Sequence, residues 1–258
     1  MIDINAYLGH FAFRRLRHNT APALIKLMDA KGIRRAVVSS AAAIAYRNAQ
    51  AGNEELADEV ERHRGRLIPF AVLNPAYAGW QDDLKICNEK FGMRGLRLYP
   101  RWHNYKLADR ECISLVNAAA ERNMLVTIPM RVEDPRQRTW LVDIPDLDPA
   151  EVEALIRACP RAKFVICNGG GVTQAMASKD GGLPPNYWVD VGRMSAVMQN
   201  ALGQLVKGLG ADRVLLGTGM PFQYPDPALL KIEVLDISAE DKEKIRSRNA
   251  AALLGVQA

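Results

Sequence analysis

The sequence has no apolar run approaching the roughly 20 residues that a membrane span requires, so no membrane partner is expected. Its opening residues, MIDINAYLG, carry no basic segment followed by an apolar stretch, and a cytoplasmic address is the expectation. Cysteine is sparse and scattered: Cys87, Cys112, Cys159 and Cys167 show no CxxC spacing. That excludes a zinc ribbon or a redox pair and leaves reduced core thiols. Histidine is scarcer in effect, with His10, His18, His63 and His103 too far apart for ligand spacing on one helix. No Gly-x-Gly-x-x-Gly turn follows the first apolar run, which argues against an open dinucleotide-binding sheet. The formal charge of +5 is spread along the chain. Its two basic clusters, Arg14–His18 and Arg62–Arg66, lack interleaved aromatics, so no nucleic-acid partner is expected. A small anionic ligand fits that balance.

What is present is an alternation of short apolar runs with amphipathic stretches, the pattern of parallel strands separated by helices. Eight strands are expected, at Ile2–Asn5, Arg35–Ser39, Leu67–Leu73, Gly95–Tyr99, Leu125–Met130, Phe164–Asn168, Tyr187–Val191 and Val214–Thr218. Eight strands in 258 residues match a single α/β domain over residues 1–258, a (β/α)8 TIM barrel. Helical spacing follows in Trp80, Leu84, Cys87 and Phe91, in Ile113, Val116 and Ala120, and in Val152, Leu155 and Ile156. A later stripe would run through Val197, Ala201, Leu205 and Leu209, and Ser238 with Asp241 has the spacing of a capping box. The longest irregular connections, Arg131–Pro149 and Gly169–Pro185, both follow strands. They are expected on the C-terminal face as a lid. Gly169-Gly170-Gly171 and a short helix over Val172–Lys179 would place backbone amides where an anion could bind.

Five segments, in order, resemble the amidohydrolase-related family. Ile2-Asp3-Ile4-Asn5-Ala6-Tyr7-Leu8-Gly9 resembles its first-strand motif, apolar-Asp-x-His-x-His-x-Gly. Gly95-Leu96-Arg97-Leu98-Tyr99-Pro100 is similar to the fourth-strand signature, and Phe164 to Gly170 to the sixth-strand run ending in His-x-Gly. Arg213 to Pro221 resembles the Gly-Ser-Asp-x-Pro box of the eighth strand, and Ser238 to Leu254 the closing helix. The resemblance implies a TIM barrel and a metal-dependent hydrolase or decarboxylase. It also implies that the metal ligands are replaced here. Asn5, Tyr7, Pro129 or Ile128, Asn168 and Gly219 stand where the family places histidines and an aspartate. No cofactor and no metal ligand are therefore expected, and His10 and His103 read as loop histidines even with Glu133, Asp134 or Asp190 nearby.

The residues left at the barrel mouth by that resemblance suggest a metal-independent hydrolase or lyase acting on a small carboxylated substrate by hydrolysis, decarboxylation or hydration. Tyr7, His10 and His103 are the candidate proton-transfer residues. Asn5, Arg97, Tyr99, Arg131, Asn168 and Thr218 are the candidate binding residues. Strict strand alternation puts Asp3, Asn5 and Tyr7 on one face and Arg97 with Tyr99 on another. A guanidinium matches a carboxylate bidentately. Arg97 is either such a clamp or a structural residue paired with Asp3 or Asp190, and Arg131 reads as balanced by Glu133 or Asp134. Tyr7 is either an acid whose pKa a nearby arginine lowers or an aromatic plug. The alternative function is a catalytically inactive pseudoenzyme that binds a small anionic ligand or a partner subunit, and a homo-oligomer is compatible with either.

Overall fold

The structure is a computed structural model and describes residues 1–169 and 172–258. Its strands, all paired in parallel, are β1 (Ile2–Leu8), β2 (Arg35–Ser40), β3 (Leu67–Pro69), β4 (Ala71–Val72), β5 (Gly95–Arg97), β6 (Leu125–Pro129), β7 (Phe164–Cys167), β8 (Tyr187–Asp190) and β9 (Val214–Leu215). The helices between and after them are α1 (Ala21–Ala30), α2 (Ala49–Val60), α3 (Trp80–Lys85), α4 (Arg110–Glu121), α5 (Pro149–Ala158), α6 (Ala201–Leu209), α7 (Asp226–Val234), α8 (Ala239–Glu243) and α9 (Asn249–Leu254). Strands β1 to β3 form one ladder and β4 to β9 another.

Two seams join the ladders into a ring. At the first, β3 and β4 are halves of one stave broken at Phe70, whose amide still donates to Val38 O. The Phe70 ring lies on Gly95, where a Cβ would come within 2.2 Å of it, so only glycine fits beneath that ring. At the second, Ile4 N donates to Leu216 O, Gly219 N to Asn5 O and Tyr7 N to Met220 O, at 2.8–2.9 Å. The chain is thus an eight-stave (β/α)8 barrel in one domain, as the alternation of apolar runs predicts.

Burial follows the layers of such a barrel. Ile2, Ile4, Val37, Ile68, Phe70, Leu125, Val165, Cys167 and Leu215 form the lower inner cluster, which Ala250, Ala251 and Leu254 of α9 close from below. Tyr7, Phe11, Val72, Tyr99, Val132 and Phe222 belong to an upper cluster, with Phe13 and Trp102 packed against it. The larger apolar layer lies between staves and helices and includes Ala6, Leu8, Leu96 and Leu98.

Strict alternation fails in β1. Its pairing with β2 shifts register between Asp3 and Ala6. A bulge of this kind changes which residues share a face. Ile2 and Ile4 consequently enter the lower inner cluster while Tyr7 enters the upper one, so Asp3, Asn5 and Tyr7 are not one uniform row. Two helical expectations also fail. Asn200 adopts a left-handed conformation (φ 47°) just before α6, which leaves Val197 outside the helix and exposed; Leu202, Leu205, Val206 and Leu209 form the buried stripe. Val172–Lys179 makes turns, with Met176 N donating to Thr173 Oγ1, and contains no helix. Gly170 and Gly171 lie outside the described residues.

Candidate active site

Two buried carboxylates tie the staves together beneath the mouth. Asp3 Oδ1 accepts from Asn5 N and Thr218 N, and its Oδ2 accepts from Thr218 Oγ1 at 2.5 Å. Asp190 Oδ1 accepts from Asn168 N and Gly192 N, and its Oδ2 from Asn5 Nδ2 at 3.0 Å. Every oxygen of both groups is therefore already engaged by the protein. Desolvation dominates their titration, pushing Asp3 up to about 7 and Asp190 up to about 6 against the opposing hydrogen bonds. Thr218 is spent on Asp3, so this expected binding residue works as a strut between the first and last staves.

Arg97 is fully buried and pairs with neither carboxylate. Its Nε donates to Thr127 Oγ1 at 3.0 Å, and its terminal nitrogens donate to Ala6 O and Ile4 O. The guanidinium carbon lies 4.8 Å from the centre of the Tyr7 ring. The β1 bulge exposes the carbonyls that receive this cation, which is why a residue expected to clamp a ligand or a carboxylate instead holds backbone. Tyr7 OH is buried beside the Tyr99 hydroxyl without a hydrogen bond of good geometry, and Asn5 Oδ1 is buried with no partner. Burial pushes the Tyr7 phenol well above its ordinary range, overriding the smaller lowering by Arg97. The expectation of an arginine-acidified tyrosine is corrected accordingly. Tyr7 also packs edge-on against Phe222, 4.9 Å between ring centres, which gives it the plugging role as well.

The remaining sequence candidates separate. Tyr99 is buried with its hydroxyl 3.5 Å from Ser39 Oγ. Asn168, held at φ 57°, donates through Nδ2 to Arg131 O and accepts at Oδ1 from Gln223 Nε2. His103 is buried, its ring centre 6.0 Å from that of Tyr99, with Nε2 3.0 Å from Ala43 O and Nδ1 without a partner; burial lowers its pKa. His10 is exposed and lines a separate hollow with Asn19, Glu55 and Glu59. His10 thus lies in a hollow that Tyr7 does not line, while His103 adjoins Tyr99 of the upper cluster that holds Tyr7. Arg131 is paired to Asp146, which Arg138 also grips, and not to Glu133 or Asp134. These two arginines close the connection after β6 upon itself.

Sequence reasoning missed a convergence at the mouth. Arg14 from the connection after β1 meets Glu133 from that after β6, and Arg193 from that after β8 reaches the adjacent Asp134, its Nη1 3.6 Å from Oδ2. Arg14 Nε lies 3.4 Å from Glu133 Oε1, an ion-pair distance without hydrogen-bond geometry. The Glu133 side chain is 2% exposed. Its Oε1, Arg14 Nε and Arg193 Nε are all buried without a hydrogen-bond partner. Arg193 sits at φ 57°, an uncommon conformation for a non-glycine residue. Desolvation raises the Glu133 pKa although Arg14, Arg138 and Arg193 oppose it. Glu133 also borders a narrow cleft of about 30 Å³, lined by Tyr99, Trp102, Met130, Arg131, Arg138 and Asp146 among others. The available signal was Glu133 two residues beyond Arg131 after a strand; nothing local in the sequence points to Arg14 or Arg193.

Among the described residues no three His, Cys, Asp or Glu side chains are grouped as metal ligands would be. A family model described as amidohydrolase matches residues 4–256. Among solved structures, 2,6-dihydroxybenzoate decarboxylase from Rhizobium superposes with a TM-score of 0.73 at 20% identity, over 99% of each chain. A dihydroxybenzoic acid decarboxylase from Polaromonas sp. JS666, with bound manganese and an inhibitor, gives 0.69 at 19% identity over 91% of this chain and 86% of that one. 5-Carboxyvanillate decarboxylase from Sphingomonas paucimobilis gives 0.69 at 18%, over 90% and 82%.

Proposed function

The chain belongs to the amidohydrolase family, and from that premise we propose that it is a metal-independent enzyme that acts on a small carboxylated molecule at the barrel mouth. The supporting observation is the Arg14–Glu133 pair, whose facing Nε and Oε1 are buried without forming a hydrogen bond, together with the unpartnered Arg193 Nε. Buried donors without acceptors are costly, and an arriving carboxylate would satisfy them. Arg14 and Arg193 take the anchoring role expected of Arg97 and Arg131, Arg14 through Nε alone because its Nη1 and Nη2 donate to Gln137 Oε1 and Phe222 O.

The donor set does not suit a divalent cation. Asn5 is a weak ligand, Gly219 offers no side chain, and the oxygens of Asp3 and Asp190 are occupied by amides and Thr218. Arg97 would add like-charge repulsion in the same space. Tyr7 keeps its proton and serves as a neutral donor at its hydroxyl, with Asn5 Oδ1 and Tyr99 completing a polar floor. The reaction class is hydrolysis, or decarboxylation or hydration. The three solved decarboxylases named above support the carboxylated substrate by likeness of fold.

Thermal shift with benzoate and succinate on chelator-treated protein tests this reading. Both probes should raise Tm in the wild type, and Arg14→Gln or Arg193→Gln should abolish the rise. An unchanged Tm with every small carboxylate would refute it. The packing of Phe11, Phe222 and Trp102 over Tyr7 favours a second reading, a ligand-binding pseudoenzyme with a plugged mouth. Binding of these carboxylates with no turnover of any amide, lactone or aromatic acid tested would select it.

A further inference from the structure

Arg14 and Glu133 are close enough that a ligand carboxylate seated on Arg14 Nε must meet the Glu133 carboxylate. The distance from Nε to Oε1 is 3.4 Å, and the glutamate side chain is 2% exposed, so little water screens the two anions. Two carboxylates sharing one buried site cannot both stay ionised at ordinary cost. The charged groups around Glu133 are Arg14 at 3.4 Å, Arg138, which lines the same cleft, and Arg193, which reaches the adjacent Asp134. Of these, Arg138 is held by Asp146 at 2.5 Å, and Arg193 lies 3.6 Å from Asp134 Oδ2. The cationic charge left uncommitted is enough for one carboxylate and not for two.

Resting on the carboxylate-binding reading above, we infer that Glu133 is a resident occupant of the anion subsite, and that a ligand carboxylate binds between Arg14 and Arg193 only as Glu133 takes up a proton from solvent. Binding of the anion is thereby coupled to uptake of one proton, which comes to rest on a Glu133 oxygen. The site holds a neutral carboxylic acid beside the bound carboxylate, a group able to donate a hydrogen bond to it. The burial of Glu133 works in the same direction, since it already favours the protonated form.

Calorimetric titration of benzoate into the full chain, from about pH 5 to about pH 8 and in two buffers of different ionisation enthalpy, tests this coupling. The wild type should take up close to one proton per benzoate at the upper end, with affinity falling about tenfold per pH unit there. Glu133→Gln, which keeps the shape and removes the charge, should bind benzoate with no proton uptake and a flat pH profile. The wild-type proton count stands by itself if that variant does not fold. Saturable benzoate binding without proton uptake and without pH dependence in the wild type overturns the role of Glu133 and leaves the carboxylate site standing. No saturable binding of benzoate or succinate at any pH overturns both.

Discussion

The Arg97 guanidinium faces the ring of Tyr7 at 4.8 Å and not its hydroxyl, which makes no hydrogen bond of good geometry. Ring and hydroxyl therefore separate in their consequences. Tyr7→Phe keeps the cation–π contact and removes an unsatisfied polar atom, so it should shift stability by less than about 1 kcal/mol. Tyr7→Ala also removes the packing on Phe222 and should cost about 3–5 kcal/mol. Urea denaturation of the two variants measures both values. Equal losses would mean that the hydroxyl has a partner in solution.

Arg97 holds Ile4 O, Ala6 O and Thr127 Oγ1 across the barrel. Arg97→Met should destabilise by about 3 kcal/mol or more, because three buried acceptors lose charged donors. Benzoate affinity of the folded fraction should not change. A selective loss of anion affinity with stability intact would restore Arg97 as a clamp.

Stability should fall as pH rises through the neutral range. Asp3 and Asp190 titrate at about 7 and about 6 in the folded chain, above the ordinary 3.8, so the folded state binds more protons than the unfolded one between those values. Their contribution is full below the ordinary carboxylate pKa and is lost as pH climbs through the raised one. Denaturation midpoints from pH 4 to pH 8 check the sign, and Asp3→Asn should flatten the upper part of the decline. A midpoint rising over that interval would contradict it.

Asp146 is the common acceptor of Arg131 and Arg138. Asp146→Asn should loosen the connection between β6 and α5 and speed tryptic cleavage at Arg136 and Arg138, with little effect on global stability because these groups are partly exposed. Unchanged cleavage would show that other contacts hold the segment.

The staves were readable because runs such as Phe164–Cys167 and Leu125–Pro129 are apolar on both faces, as a strand covered by helices and filled inside must be. Their inner and outer faces were less readable. The bulge after Asp3 has no glycine or proline to announce it, and it decides both the placement of Tyr7 and the carbonyls offered to Arg97. The helix expected from Val197 fails for a similar reason, a left-handed Asn200 that spacing alone does not reveal. In the site, Asn5, Tyr7, Arg97, Tyr99 and Asn168 were legible as buried groups at strand ends. Arg14, Glu133 and Arg193 were not legible together, since three connections far apart in sequence meet only once the ring has closed.

Gly219 has φ 71°, and a Cβ there would stand 2.8 Å from Gln223 Nε2, the group that donates to Asn168 Oδ1. A carboxylate introduced at this position is therefore not a silent change. It would strain the backbone, displace Gln223 and release the Asn168 amide from its present partner. An acidic residue at 219 is thereby coupled to Gln223 and Asn168, and a variant that also shortens Gln223 should accept it more readily than Gly219→Asp alone.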